Sequence, residues 1–209
     1  MIRAFFGGTF DPIHNGHLET ASALVDELDI ATLSLMPSAV PPHRSQPCAS
    51  ARQRLEMVKL ACQQHPAFTA ENWELKQDRL SYTAHTLSEF KERFPNDILL
   101  FVMGMDSLMS LHKWHNWTQL TDNAHLIVMP RAGVDFSPQD DELKSFIATH
   151  LTKHKKDLTE QSSGYVYIAE TPMVDVSATE LRKQLQQRKP NLPLPSSVYD
   201  YIRQHQLYL

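Results

Sequence analysis

The stretch IRAFFGGTFDPIHNGHLETASALVDEL, Ile2 to Leu28, sets the fold. Ile2 to Phe6 reads as a buried strand. Gly7 and Gly8 close it. From about Asn15 to Leu28 the apolar residues Leu18, Ala21, Leu24, Val25 and Leu28 share one helical face, and Asn15 is a candidate N-cap. The opening is therefore strand, glycine-rich loop, helix.

The same alternation continues along the chain. Ala31 to Met36 reads as a second strand, followed by the proline-rich loop PSAVPPHRSQPCAS and a helix from Ala51 to His65. A further helix is expected over Ser81 to Phe94. Strands are expected over Asp97 to Gly104, Ala124 to Pro130 and Tyr165 to Glu170. The run DILLFVMG is apolar at nearly every position, as a strand covered on both faces must be. The polar stretch Thr152 to Gly164 reads as a surface excursion. Two helices close the chain, in SATELRKQLQQR and PSSVYDYIRQHQ. Strand alternating with helix predicts an α/β fold, a Rossmann-like open parallel sheet with helices on both faces and a small C-terminal helical part from about residue 177. One domain over residues 1–209 is expected, since no linker interrupts the pattern and 209 residues suffice for a core of their own.

Composition excludes several classes. The formal net charge of −4 gives no basic footprint for nucleic acid. The two cysteines, Cys48 and Cys62, form no CxxC pair and cannot build a disulfide scaffold. No apolar run approaches a membrane span, and the N-terminal apolar run is too short for a signal peptide. A cytoplasmic location is expected. A homo-oligomer is left open.

The chemistry concentrates at the ends of strands, where open parallel sheets bind ligands. Gly7, Gly8, Thr9 and Phe10 follow the first strand. His14 lies in the loop, Gly16 leaves room for close approach, and His17 falls in the first helical turn. A helix start offers unpaired N–H groups and partial positive charge, so two imidazoles, a Thr hydroxyl and backbone donors converge on an anion site. The Walker and GxGxxG signatures are absent. A structural cap or an HxxH metal pair is the competing reading, but no Cys or third His stands nearby. His112 with His115, and His150 with His154, likewise lack completing ligands, so no metal held by protein side chains is expected. Near the C-terminus, VSATELR repeats the idea. Ser177 and Glu180 have capping-box spacing, and Thr179 and Arg182 flank the same helix start.

GGTFDPIHNGHL resembles the signature of the HxGH nucleotidylyltransferase superfamily, and VSATELR resembles its phosphate-holding Ile-Ser-x-Thr-x-x-Arg motif, with Val176 in place of Ile. With VPPHR, SYT, GMDSL, KWHNW, NAHLIVMPR and IAETP in order between them, the chain resembles the bacterial nicotinate-nucleotide adenylyltransferases over nearly its whole length. The resemblance implies joining of nicotinate mononucleotide and ATP to nicotinate adenine dinucleotide and pyrophosphate, with Mg2+ accompanying ATP. It implies that His14, His17 and Arg182 act on the phosphates. Gly7, Gly8, Thr9, Phe10, Gly16, Gly104, Asp106, Ser177 and Thr179 would bind ATP. His43, Arg44, Tyr82, Thr83, Ala84 and Trp114 would bind nicotinate mononucleotide, His43 and Arg44 through its phosphate and Trp114 by stacking on the ring. Ser38 and Ala39 stand where the family commonly has Asn, so that contact is not carried over. Nicotinamide mononucleotide or phosphopantetheine as acceptor, and a non-catalytic nucleotide sensor, are the alternatives.

Overall fold

A computed structural model describes residues 1–39, 46–77 and 81–209. Seven strands form one sheet: β1 (Ile2–Gly8), β2 (Leu33–Pro37), β3 (Phe68–Ala70), β4 (Ile98–Gly104), β5 (His125–Met129), β6 (Leu151–Thr152) and β7 (Val166–Ile168). Their order is β3-β2-β1-β4-β5-β7-β6, and every pairing is parallel. The helices are α1 (Asn15–Leu28), α2 (Ala51–Cys62), α3 (Thr83–Arg93), α4 (Met105–Met109), α5 (Leu120–Asn123), α6 (Asp141–His150), α7 (Asp157–Glu160), α8 (Ala178–Gln186) and α9 (Ser196–Gln204).

Helices cover both faces, and each face has its own core. One core joins Leu18, Ala21 and Leu24 of α1 to Met57 of α2, Leu181 and Leu185 of α8, and Val198 and Ile202 of α9. The other joins Leu87 and Phe90 of α3 to Leu108, Leu120, Leu143 and Phe146. Alternate residues of the central strands serve the two layers: Leu100 and Val102 face the first, Leu99, Phe101 and Met103 the second. This is why DILLFVMG shows no polar alternation. The open parallel fold with helices on both faces is the one expected.

The chain runs outward from β1 through β2 to β3 and then returns to place β4 on the other side of β1. The carboxyl ends of β1 and β4, where that direction reverses, form the crevice in which such sheets bind ligands. Gly8 ends β1 and Gly104 ends β4.

Four local expectations change. β1 continues through Gly7 and Gly8, which pair with Met36 and Pro37, so the motif glycines belong to the sheet. The N-cap of α1 is His14, not Asn15, which is already the first helical residue. α2 stops at Cys62 rather than His65, since His65 precedes Pro66 and that position disfavours helix. The excursion Thr152 to Gly164 holds part of β6 and all of α7. These short elements are fixed by distant partners: Leu158 is buried in the first core and His125 of β5 bonds the Gln161 carbonyl. The strand β3 and the helix α6 carry no expectation from the sequence. Among the described residues no helix is long and apolar enough to cross a membrane.

Candidate active site

Two cavities open at the crevice. The larger, about 1300 Å3 with open solvent included, is lined by Gly7 to Asp11, His14, Gly16, His17, Gly104, Asp106, Arg131, Ser177, Thr179 and Arg182, among others. The smaller, about 690 Å3, is lined by Met36, Ser38, Glu74, Ser81, Tyr82, Thr83, Phe101, Trp114 and His115. Gly7, Gly8, Thr9 and Ser107 line both, so the cavities meet over the end of β1.

The start of α1 explains the spacing of His14 and His17. The His14 ring accepts the His17 N–H at Nδ1, and the His17 ring accepts the His14 N–H, each at 3.3 Å. This is a capping box built from two imidazoles. The rings stack at 3.7 Å between centroids. With both Nδ1 atoms accepting, the tautomer assigned to each ring carries its proton on Nε2. His14 is buried, 3% exposed, and burial, with the Arg131 charge adding to it, lowers its pKa from 6.5 to about 4. It is therefore a neutral N–H donor across the physiological range. Phe10 packs edge-on behind His17 with only 2% exposure, so it belongs to the core as well as to the cavity wall.

Gly16 brings the two motifs together. A Cβ there would lie 3.1 Å from His14 Nδ1 and 3.1 Å from the Val176 side chain. The α8 start thereby faces the α1 start across the larger cavity. The capping box expected at Ser177 does not form. Its hydroxyl makes no cap bond, and Glu180 turns instead to Gln184 at 3.4 Å and Lys183 at 3.9 Å. Among the described residues the start of α8 thus has no side-chain cap, at the mouth of a cavity, an arrangement that suits an anion.

Arg182 reaches back from α8. It donates to the Asp11 carbonyl at 2.7 Å and to Thr179 Oγ1 at 3.3 Å. The guanidinium also lies 3.9 Å from the Asp11 carboxylate, and it lines the larger cavity. Asp11 is buried and accepts from Cys48 N, Ala49 N and the Tyr208 hydroxyl.

In the smaller cavity Tyr82 is the N-cap of α3, with no side-chain cap bond, and Thr83 is its first residue. Ala84 is buried in the second core and does not line the cavity, leaving only its backbone to act there. Trp114 packs partly against that core and also lines the cavity. Burial pushes the Glu74 carboxyl up, opposed by hydrogen bonds from Ser81, Thr86 and the Ala39 backbone and by the Arg54 charge. His43 and Arg44 lie outside the described residues.

All twelve residues expected at the phosphates and at ATP thus line one cavity. The sequence reading gave no role to Arg131, Ser81, Ser107 or Arg54. Arg131 pairs with Asp106 at 3.3 Å and sits beside His14. Its signal is a cation directly after β5, at the ligand-binding end of the sheet. Arg54 has no local signal, for it lies in mid-helix. Among the described residues no group of three or more His, Cys, Asp or Glu could hold a metal ion.

The sequence profile of a family described as cytidylyltransferase-like matches residues 5–184. A protein of Idiomarina loihiensis named "Probable nicotinate-nucleotide adenylyltransferase" is 75% identical over 209 residues, 100% of both chains. A protein of Klebsiella pneumoniae with the same name is 41% identical, over 100% of this chain and 97% of its own. A solved Plasmodium falciparum nicotinic acid mononucleotide adenylyltransferase, complexed with NaAD, superposes with a TM-score of 0.74 at 18% identity, covering 99% of this chain and 97% of its own. At that identity the likeness speaks to the fold.

Proposed function

The chain belongs to the cytidylyltransferase-like family and, within it, to the nicotinate-nucleotide adenylyltransferases, and on that premise we propose how its residues join ATP and nicotinate mononucleotide into nicotinate adenine dinucleotide, releasing pyrophosphate. The reaction is a step of NAD biosynthesis. One observation carries the assignment of parts: a cavity lined by His14, His17 and Arg182 and a second cavity lined by Tyr82 and Trp114 share the wall Gly7–Thr9. Two nucleotides seated in the two cavities meet there.

An oxygen of the acceptor phosphate attacks the ATP α-phosphorus. The bond from that phosphorus to the bridging oxygen of the β-phosphate breaks, and pyrophosphate leaves with the electron pair. The acceptor phosphate is largely dianionic near pH 7, its second pKa being about 6, so no general base is needed. Catalysis is then positioning and charge stabilisation. His14 presents a neutral Nε2–H donor to the phosphates, and the Nε2 side of His17 lies beside it. The α1 and α8 starts add backbone N–H groups, and Arg182, fixed through Asp11 and Thr179, adds charge. Gly104, at the end of β4, and Asp106, in the first turn of α4, take the ATP ribose side.

The α3 start receives the nicotinate carboxylate through the Thr83 and Ala84 N–H groups, and Trp114 stacks on the pyridine ring. His43 and Arg44 grip the acceptor phosphate. The carboxylates of the larger cavity are engaged elsewhere, Asp11 by backbone N–H groups and Tyr208, Asp106 by Arg131. That donor set fits Mg2+ carried on the ATP phosphates, where the ion would neutralise charge on the leaving pyrophosphate.

The test is pyrophosphate release with Mg-ATP and each of nicotinate mononucleotide, nicotinamide mononucleotide and phosphopantetheine. Strong preference for the nicotinate form is expected. Equal use of the amide would remove the carboxylate role of Thr83 and Ala84. ATP binding without release would favour a nucleotide sensor.

A further inference from the structure

Arg54, on α2, is the largest fully buried side chain among the described residues, at 0% exposure. Its guanidinium has no carboxylate directly against it among the described hydrogen bonds. It donates instead to four backbone carbonyls: Ala49 at 3.3 Å, Thr9 at 2.6 Å, Ser38 at 2.7 Å and Ala39 at 3.0 Å. These belong to three separate segments, the loop after β1, the loop after β2 and the turn before α2. Thr9 lines both cavities and Ser38 the smaller one.

The bonds continue outward on both sides. Ala39 N–H donates to Ser81 Oγ at 3.1 Å, at the threshold of α3, and Ser81 bonds Glu74. On the other side Ala49 N–H donates to Asp11, whose own carbonyl holds Arg182. One buried cation therefore stands between the residues assigned to ATP phosphates and those assigned to the acceptor ring.

A hydrophobic side chain would fill this space without desolvating a charge, so stability alone is a weak reason for arginine here. Lysine would keep the charge but not the planar fork that reaches three segments at once. Resting on the adenylyltransferase reading above, we propose that Arg54 is a positioning residue that sets the separation of the two nucleotide pockets, with Ser81 completing the strap on the acceptor side. Reacting atoms must be held near 3–3.5 Å, and a displacement of about 1 Å costs roughly a hundredfold in rate.

The experiment compares wild type, R54K and S81A. Calorimetry gives the affinity for each nucleotide alone, and pyrophosphate release gives kcat. R54K is expected to bind each nucleotide within about threefold of wild type while kcat falls roughly a hundredfold, the signature of lost alignment rather than lost binding. S81A, a mild substitution, is expected to lower kcat about tenfold with ATP affinity unchanged. Retention of kcat within threefold by folded R54K overturns the inference. So does a proportional fall of kcat, both affinities and the melting temperature, which is the mark of structural support alone. If R54K does not fold, S81A decides, and a wild-type kcat in S81A overturns the inference. A wild-type enzyme that releases no pyrophosphate with any acceptor overturns the underlying reading and the inference with it, whereas an active wild type beside an unaffected R54K overturns the inference only.

Discussion

Replacing His14 by Asn separates its cap role from its proton chemistry. Asn is a strong N-cap, so its side-chain oxygen can take the His17 N–H that His14 Nδ1 now accepts. What Asn lacks is a titrating ring. In the folded protein burial holds His14 near 4, against 6.5 for an unfolded histidine. Between those values the unfolded chain carries a proton there and the folded chain does not. Stability attached to a neutral His14 is thus intact above pH 6.5 and is lost as pH falls toward 4. At about 1.4 kcal/mol per pH unit the whole window is worth about 3 kcal/mol, and at pH 5 about 2 kcal/mol. The assay is urea unfolding of wild type and H14N at pH 7.5 and pH 5.0. Wild type should lose about 2 kcal/mol more than H14N between the two conditions. The comparison cancels other histidines, including His125, which burial also lowers. Equal losses in the two proteins would refute a buried, neutral His14, and with it the picture of a fixed Nε2–H donor. H14N should also be nearly inactive at both pH values, since an uncharged donor is removed and not merely titrated.

Three further outcomes are expected. H17A, measured by pyrophosphate release, should lose about 10²–10³ in kcat, the usual effect of removing one transition-state donor, while a folded H17A with near-normal turnover sinks its phosphate role. G16A should lower kcat with little change in acceptor KM, because the new methyl would press on His14 and Val176 at 3.1 Å and push the two helix starts apart. W114A should raise the acceptor KM and leave ATP affinity by calorimetry unchanged, since Trp114 lines the smaller cavity and not the larger. Equal loss of both affinities would place Trp114 in the frame of the protein and not on the ring.

The sequence by itself determined the elements that are built locally. The α1 helix runs from Asn15 to Leu28, as its apolar spacing requires, and the apolar runs at β4 and β5 are strands covered on both faces. Period and apolarity are properties of neighbouring residues, so they are legible without the fold. The glycines and histidines of the first motif, and Ser177, Thr179 and Arg182 of the second, were legible as candidates for anion binding because helix starts and strand ends carry that chemistry wherever they occur, and they line one cavity.

Only the tertiary structure decided what depends on residues distant in sequence. The capping box at Ser177 had the right letters, yet Glu180 found partners on its own helix and Ser177 was left facing the cavity. The roles of His14 and His17 as each other's cap follow from a backbone path that spacing does not specify. The short β6 exists because it pairs with β7 and Leu151 packs on the second core, and α7 because Leu158 enters the first core and His125 bonds the Gln161 carbonyl just after it, not through any propensity of a lysine-rich stretch. Arg54 is the clearest case. In the sequence it is one charge among many on an amphipathic helix, and only the closing of three loops around it turns a surface-type residue into the buried centre between two pockets. A charge can be buried only where enough polar groups converge to satisfy it, and such convergence is a property of the fold.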